Sequence, residues 1–310
     1  MFLARAIAAS KPAIPAAART CWWLVRLMTV VSLSVEILRY IGVISWISNF
    51  LSPFFELMGL PGEASLAFIS GYFVNVYTAI AVMSSLDLNA RSITILSVMI
   101  LCAHNMIVES AVQKKCGTPL VRIFIIRTLS AVILGFVLNA LMPGGEITAT
   151  VKKSQIVSLG VWELFRNWAI STICLIIKMV LLIFSLSILQ RLLSEFGVIR
   201  LLSKILRPLL VIFGLPARTS FLWIVANVLG LAYGAALMIE ETKTGKISRD
   251  DADLLNHHIG VSHSNLEDVL LLYAAGAAFW WMLLSRWVMA MILVWERRIE
   301  KLLNHLKSAH

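Results

Sequence analysis

The sequence predicts an all-α protein that crosses a membrane several times and is built from two copies of one helical unit. Three observations predict it. The chain is 59% hydrophobic and 14% charged, with a mean hydropathy of +0.86, whereas soluble domains carry about 25% charged residues. Roughly six or more windows are long and apolar enough to cross a hydrocarbon core of about 30 Å as helices of about 20 residues. Finally, the stretch from Leu51-Ser52-Pro53 to Gly59-Leu60-Pro61 recurs as Leu206-Arg207-Pro208 to Gly214-Leu215-Pro216. A soluble protein of 310 residues has too small a core to hide so many long apolar runs. Backbone groups in lipid must pair within their own segment, so the spans are helices.

The offset that aligns Leu51 with Leu206 also aligns Gly42-Val43-Ile44 with Gly197-Val198-Ile199. A slightly longer offset aligns Gly71 with Gly230, His104 with His263, Glu109 with Asp268 and Arg127 with Arg286. Recurrence at a fixed spacing reads as duplication, with about four spans per copy. The expected organisation is a basic membrane-surface segment over 1–20, a first unit over 21–142, and a linker over 143–165 opened by Pro143-Gly144-Gly145. A second unit over 166–296 and a charged tail over 297–310 follow.

In order, a first span is expected over 22–44. An amphipathic interfacial helix over 45–58 follows, with Pro53 inside it, stopped by Gly59 and Pro61. An apolar run over 64–83 carries Gly71, Tyr72, Asn75 and Tyr77. Gly71 and Asn75, like Gly230 and Gly234 in the second unit, point to close helix packing or to a broken helix lining a site. Asn89 suits the cap of a helix over 90–112, and a span over 120–142 carries Arg122 and Arg127. The second unit retraces this path. A span over 167–190 leads to a basic amphipathic piece over 198–213, with Pro208, stopped by Gly214 and Pro216. An apolar run over 219–239 and a charged loop over 240–253 with Ser248 as helix cap come next. The polar stretch 256–268 and a span over 270–295 complete the unit.

The net charge of +10 is read as lysine and arginine at helix ends and in cytoplasmic loops. No basic face with aromatic or motif support is present, so nucleic acid is not an expected partner. Cys21, Cys102, Cys116 and Cys174 are scattered and read as packing residues. The first residues lack the compact apolar core of a cleaved signal peptide. Arg5, Lys11, Arg19 and Arg26 favour a cytoplasmic N-terminus. No nucleophile elbow or phosphate-cradling loop is present. The protein is therefore expected not to be an enzyme and to need no cofactor.

The residues that could carry chemistry come in matched sets: His104, Asn105 and Glu109 in the first copy, and His263, Ser264, Asn265 and Asp268 in the second. In a continuous helix Asn105 and Glu109 share a face, as do Ser264 and Asp268, and His263 and Glu267. Two readings stay open. These groups could hydrogen-bond helices together and bind nothing, or they could face a pathway, as ionisable groups at membrane depth tend to do. In the second case they would bind a small polar solute or a cation. Two histidines and two carboxylates are also donors that a divalent transition metal accepts, although no close His-x-x-His or Glu-x-x-His spacing marks a metal site. Arg127 and Arg286 either snorkel to the interface or pair with Glu109 and Asp268. His257 and His258 are expected at a solvated helix end, or in a pH-sensitive gate.

The twice-occurring Gly-Leu-Pro turn, the glycine-containing apolar helix after it and the motif-bearing polar helix resemble the Gate, or nucleoside-recognition, domain. That domain occurs in concentrative nucleoside transporters, in the membrane part of ferrous-iron transport protein B, and in spore-maturation proteins A and B. The resemblance covers roughly 38–142 and 193–295. It implies two Gate-type units in the bacterial inner membrane, in contact with lipid, moving or recognising a nucleoside-like solute. By the same resemblance, a non-transporting assembly or signalling component with a membrane-protein or homo-oligomeric partner is the alternative, and a divalent metal-ion channel a further one.

Overall fold

The computed structural model describes residues 2–143 and 161–308, so most of the linker expected over 143–165 lies outside the described residues. Every element among the described residues is helical. The first half comprises α1 (Phe2–Ser10), α2 (Ala13–Tyr40), α3 (Val43–Glu56), α4 (Ala64–Phe73), α5 (Val76–Ser84), α6 (Ala90–Ala103), α7 (Met106–Lys115) and α8 (Leu120–Leu141). The second comprises α9 (Val161–Glu195), α10 (Val198–Ile205), α11 (Arg207–Ile212), a 3-10 turn (Ala217–Thr219), α12 (Ser220–Val228), α13 (Leu231–Lys243), α14 (Arg249–Ser262), α15 (Asp268–Ala274) and α16 (Phe279–Ser308).

Among the described residues, five stretches are long and apolar enough to cross a membrane: Arg5–Leu38, Ala90–Lys115, Leu120–Leu141, Trp162–Glu195 and Phe279–Lys307. That is fewer than four per half, and the reason is local. The apolar run expected over 64–83 is broken at Asn75, whose side chain leaves the helix to accept from Thr78 N at 2.9 Å and cap α5. The run expected over 219–239 is broken at Gly230, whose φ of 95° and ψ of 167° only glycine adopts readily. The run expected over 198–213 divides at Leu206, before Pro208.

Other boundaries move for readable reasons. α2 begins at Ala13, inside the segment expected to lie on the surface, because Pro15 falls in its first turn, where the missing N–H costs nothing. The charged tail is not a separate piece: α16 runs on to Ser308. Arg297 Nε and Lys301 Nζ, at 2.7 and 2.9 Å from Asp253 Oδ2, tie it to α14. The charged loop before α14 shrinks to the residues between Lys243 and Arg249, and Ser248 caps α14 by accepting from Asp251 N at 3.1 Å.

α6, α8, α14 and α16 pack together at the centre, α6 mainly on α8 and α14 mainly on α16. α2 packs on α9 and α5 to one side, and α4–α5 and α12–α13 lean on the centre as helical hairpins. Burial follows this order: the apolar window of Ala90–Lys115 is 67% buried, that of Trp162–Glu195 only 22%. The exposed apolar side chains of the outer helices, such as Ile173, Ile177 and Leu181, are the surface a membrane protein turns to lipid.

The Gly-Leu-Pro turns are alike in detail. Gly59 and Gly214 have φ of 67° and 79°. Leu60 N donates to Phe55 O at 3.0 Å, and Leu215 N to Leu210 O at 2.8 Å. These are Schellman closures of the preceding helices, and Pro61 and Pro216 forbid their continuation. The hairpins after the turns are also alike, which corrects one alignment. Asn105 N donates to Gly71 O at 2.9 Å, and Ser264 N to Ala226 O at 3.2 Å. Gly71 therefore corresponds to Ala226, and the break at Gly230 corresponds to the one at Asn75. Each hairpin crosses itself at a glycine–alanine contact with the partners exchanged. A Cβ on Gly71 would stand 3.1 Å from Ala79 Cβ, and one on Gly234 would stand 2.6 Å from Ala226 Cβ.

Gly59→Ala should destabilise the protein more than Gly42→Ala. Both force a left-handed alanine, at about 1–2 kcal/mol. Only at Gly59 does the new methyl also run into the Asn139 and Arg91 side chains, while Gly42 faces open space. Thermal unfolding in detergent checks this; equal shifts for the two variants would contradict it.

Candidate functional site

The polar motifs do not lie on continuous helices, which corrects the shared-face expectation for Asn105 with Glu109, for Ser264 with Asp268 and for His263 with Glu267. α6 stops at Ala103, His104 is extended and Asn105 is left-handed, with φ 47° and ψ 39°. α14 stops at Ser262, His263 is extended and Ser264 has φ 54°. Asn105 and Ser264 are the two non-glycine residues with positive φ among the described residues. Such conformations persist only where the surroundings over-determine them, and they cluster at functional sites.

A buried arginine holds each break. Arg127 Nε donates to Cys102 O at 2.9 Å and its Nη2 to His104 O at 2.7 Å. Arg286 Nε donates to Val261 O and its Nη2 to His263 O, both at 2.7 Å. These carbonyls belong to the last turn and the C-cap of α6 and of α14, where the helix leaves acceptors unpaired and the dipole favours a cation. Both arginines are fully buried, so the snorkelling expectation is overturned. The pairing expectation holds on one side only: Arg127 Nη2 is 2.7 Å from Glu109 Oε2, whereas Arg286 Nη1 donates to Asn265 Oδ1 at 3.2 Å.

The breaks bring His104, His263, Glu109 and Asp268 together. His104 Nε2 lies 3.2 Å from Glu109 Oε1 and 3.4 Å from Asp268 Oδ2. His263 Nε2 lies 3.3 Å from Glu109 Oε2. The two imidazole centroids are 5.1 Å apart. His104, His263 and Asp268 are buried, and the Glu109 side chain is 14% exposed. The remaining candidates support this cluster. Asn105 and Ser264 form the backbone corners, and Asn265 joins Arg286 to Asn227. Glu267 turns away and accepts from the Tyr77 hydroxyl at 2.6 Å. Arg127 and Arg286 are the members that the matched motifs understate, although their shared spacing was visible.

His257 and His258 are not at a solvated end. Both are fully buried within α14. Arg122 Nε donates to His257 Nε2 at 2.7 Å, and Trp223 Nε1 to His258 Nδ1 at 3.1 Å.

Removing either arginine strands buried acceptors. Arg127→Gln breaks a buried ion pair, which costs about 3–5 kcal/mol. Arg286→Gln leaves two carbonyls without a charged donor, at roughly 1–3 kcal/mol for each unsatisfied group. Both variants should melt well below the parent in detergent; unchanged melting for both would contradict the role given to the guanidinium groups.

A match to the Gate family, described as nucleoside recognition, covers residues 21–154 and so includes His104, Asn105, Glu109 and Arg127. The chain is 29% identical over 278 residues to the uncharacterized membrane protein YvoD of Bacillus subtilis (strain 168), covering 89% of each. No solved structure matches it. With five helices suited to crossing a membrane among the described residues and similarity over 89% of its length to a relative named as a membrane protein, the chain is a multi-pass membrane protein whose residues 21–154 are similar to the Gate, or nucleoside-recognition, domain.

Proposed function

We propose that the protein is a transport protein of the bacterial inner membrane that recognises a small polar solute or cation where two Gate-type copies meet. The observation that carries this reading is the convergence of His104 and Glu109 from one half with His263 and Asp268 from the other at one buried point. Ionisable groups at membrane depth are costly, and they mark solute or ion pathways more often than scaffolding. Discontinuous helices at a meeting of repeats are how repeat transporters build such a site. Copies over 21–142 and 166–296 are supported by the paired Gly59 and Gly214 turns and the paired anchoring of Arg127 and Arg286. The family's description supports a nucleoside-like solute. Recognition, not catalysis, is the role given to these side chains.

Asp268 is the carboxylate that a ligand engages most directly. Glu109 already holds Arg127 at 2.7 Å and two imidazoles, while Asp268 meets only His104 among these groups. Ligand binding to the folded state raises its apparent stability, by about 2.7 kcal/mol at a hundred times Kd. A thermal-shift screen of the detergent-purified protein against nucleosides, nucleobases and divalent metals should therefore find a stabilising ligand. Asp268→Ala and Glu109→Ala should lose that stabilisation while keeping helical circular dichroism, and proteoliposomes should take up the ligand that stabilises the parent. Undiminished binding by both variants would sink the assignment. A protein that binds and moves none of these ligands would instead be an assembly component.

A further inference from the structure

The chemistry of the cluster goes further than an unspecified solute. His104 Nδ1 lies 3.1 Å from Ile100 O, and His263 Nδ1 lies 2.7 Å from Ile259 O. A carbonyl oxygen only accepts, so each Nδ1 carries the proton and each Nε2 of a neutral ring presents its lone pair to the cluster. This is the outer arrangement of metal-binding histidines, in which a hydrogen bond at one nitrogen fixes the tautomer and orients the other toward the ion. The lone pairs of His104 and His263 then face carboxylate oxygens at 3.2, 3.4 and 3.3 Å. Acceptors facing acceptors are stable only with a proton or a metal cation between them, and the buried cluster offers the donor set for the latter. His263 Nε2 is fully buried, points into the cluster and makes no aligned hydrogen bond.

The spacing also fits. A tetrahedral ion with ligand bonds of about 2.0–2.1 Å holds its ligand atoms about 3.3–3.4 Å apart. His104 Nε2 and Asp268 Oδ2 already have that separation, at 3.4 Å, and the ligand atoms of His104, His263 and Asp268 all lie within 4.8 Å of one another, so a small inward shift of His263 completes the set. We infer that the cluster binds one divalent first-row transition-metal ion through His104 Nε2, His263 Nε2 and a carboxylate oxygen of Asp268. Glu109 stands beside the ion, held by Arg127. Two imidazoles and one carboxylate select zinc, manganese, cobalt or ferrous iron over the all-oxygen ions magnesium and calcium. Three protein ligands leave a position open, as in sites that exchange what they bind and unlike closed structural zinc sites. The inference rests on reading this cluster as the recognition site, and it names the class of ion recognised there.

The test uses the full chain in detergent, stripped with a chelator and titrated with Co²⁺, then with Zn²⁺. One Co²⁺ per chain should bind with a visible ligand-field spectrum, and Zn²⁺ should displace it. His263→Ala and Asp268→Asn should weaken binding by more than the roughly 10–100-fold that loss of an outer partner costs. His305→Ala, in the distant end of α16, should leave it unchanged. Zinc-edge X-ray absorption of the unaltered chain needs no variant, and should show two imidazole ligands and an oxygen donor at about 2.0–2.2 Å. Failure to bind a stoichiometric ion, an all-oxygen zinc shell, or full binding by both variants would overturn the inference. The two readings fail separately. Solute-dependent stabilisation or uptake without a bound metal overturns the ion and keeps the transport reading. A stoichiometric ion in a protein that moves nothing overturns transport and keeps the ion.

Discussion

Two buried guanidinium groups hold the centre of this protein together. A helix that stops inside a bundle leaves carbonyls without partners, and in lipid no water can satisfy them. α6 and α14 both stop in the middle of the molecule. Arg127 and Arg286 reach across from α8 and α16 and each donate to two of the freed carbonyls. Arginine suits the task because its planar fork serves several acceptors and stays charged when buried. Once the breaks are held, the histidines at them turn inward, and the helices that follow start with Glu109 and Asp268 facing the same point. The breaks, the left-handed corners at Asn105 and Ser264, and the cluster thus all depend on those two side chains.

The hairpins beside the breaks do a related task. The amides of Asn105 and Ser264 have left their helices, and Gly71 O and Ala226 O accept them. Those acceptors are close enough because α4 crosses α5 at Gly71, and α12 crosses α13 at Gly234, with a side chain no larger than alanine's methyl on the other side. Small residues that let backbones approach are a common solution where lipid supplies no hydrophobic drive for helix association. Exchanging which partner is the glycine leaves the crossing intact, so a position-by-position comparison of the halves misses it.

How much of this was legible follows from what each signal depends on. Local chemistry could be read directly: the Gly-Leu-Pro stops, the caps at Asn89 and Ser248, and the apolar composition that puts the chain in a membrane. The matched histidines, acids and arginines could also be read, because spacing survives in sequence. The breaks at His104 and His263 could not. Their flanks have good helix periodicity, and what ends the helices is a tertiary donor from α8 or α16, not a local breaker. The burial of His257 and His258 was hidden for the same reason. A polar run reads as solvated unless Trp223, Arg122 and Asp253 are known to surround it.

The two halves put the same positions to unequal use, and the inequality bears on how the site works. In the first half, Glu109 takes Arg127 as a dedicated counter-ion and also faces both imidazoles. In the second, Arg286 gives its Nη1 to Asn265 Oδ1, and the counterpart of Asn265 by spacing is Met106, whose side chain has no carbonyl to offer. Asp268 is left with His104 alone among these groups. A ligand can shift or occupy a site only by the interaction it gains there over what it displaces. On the proposed reading, an incoming cation would gain little at a carboxylate already paired with a guanidinium at 2.7 Å, and more at Asp268, which faces His104 at 3.4 Å. On that reading the gain would be concentrated at Asp268, while Glu109 and Arg127 would keep the geometry fixed around it.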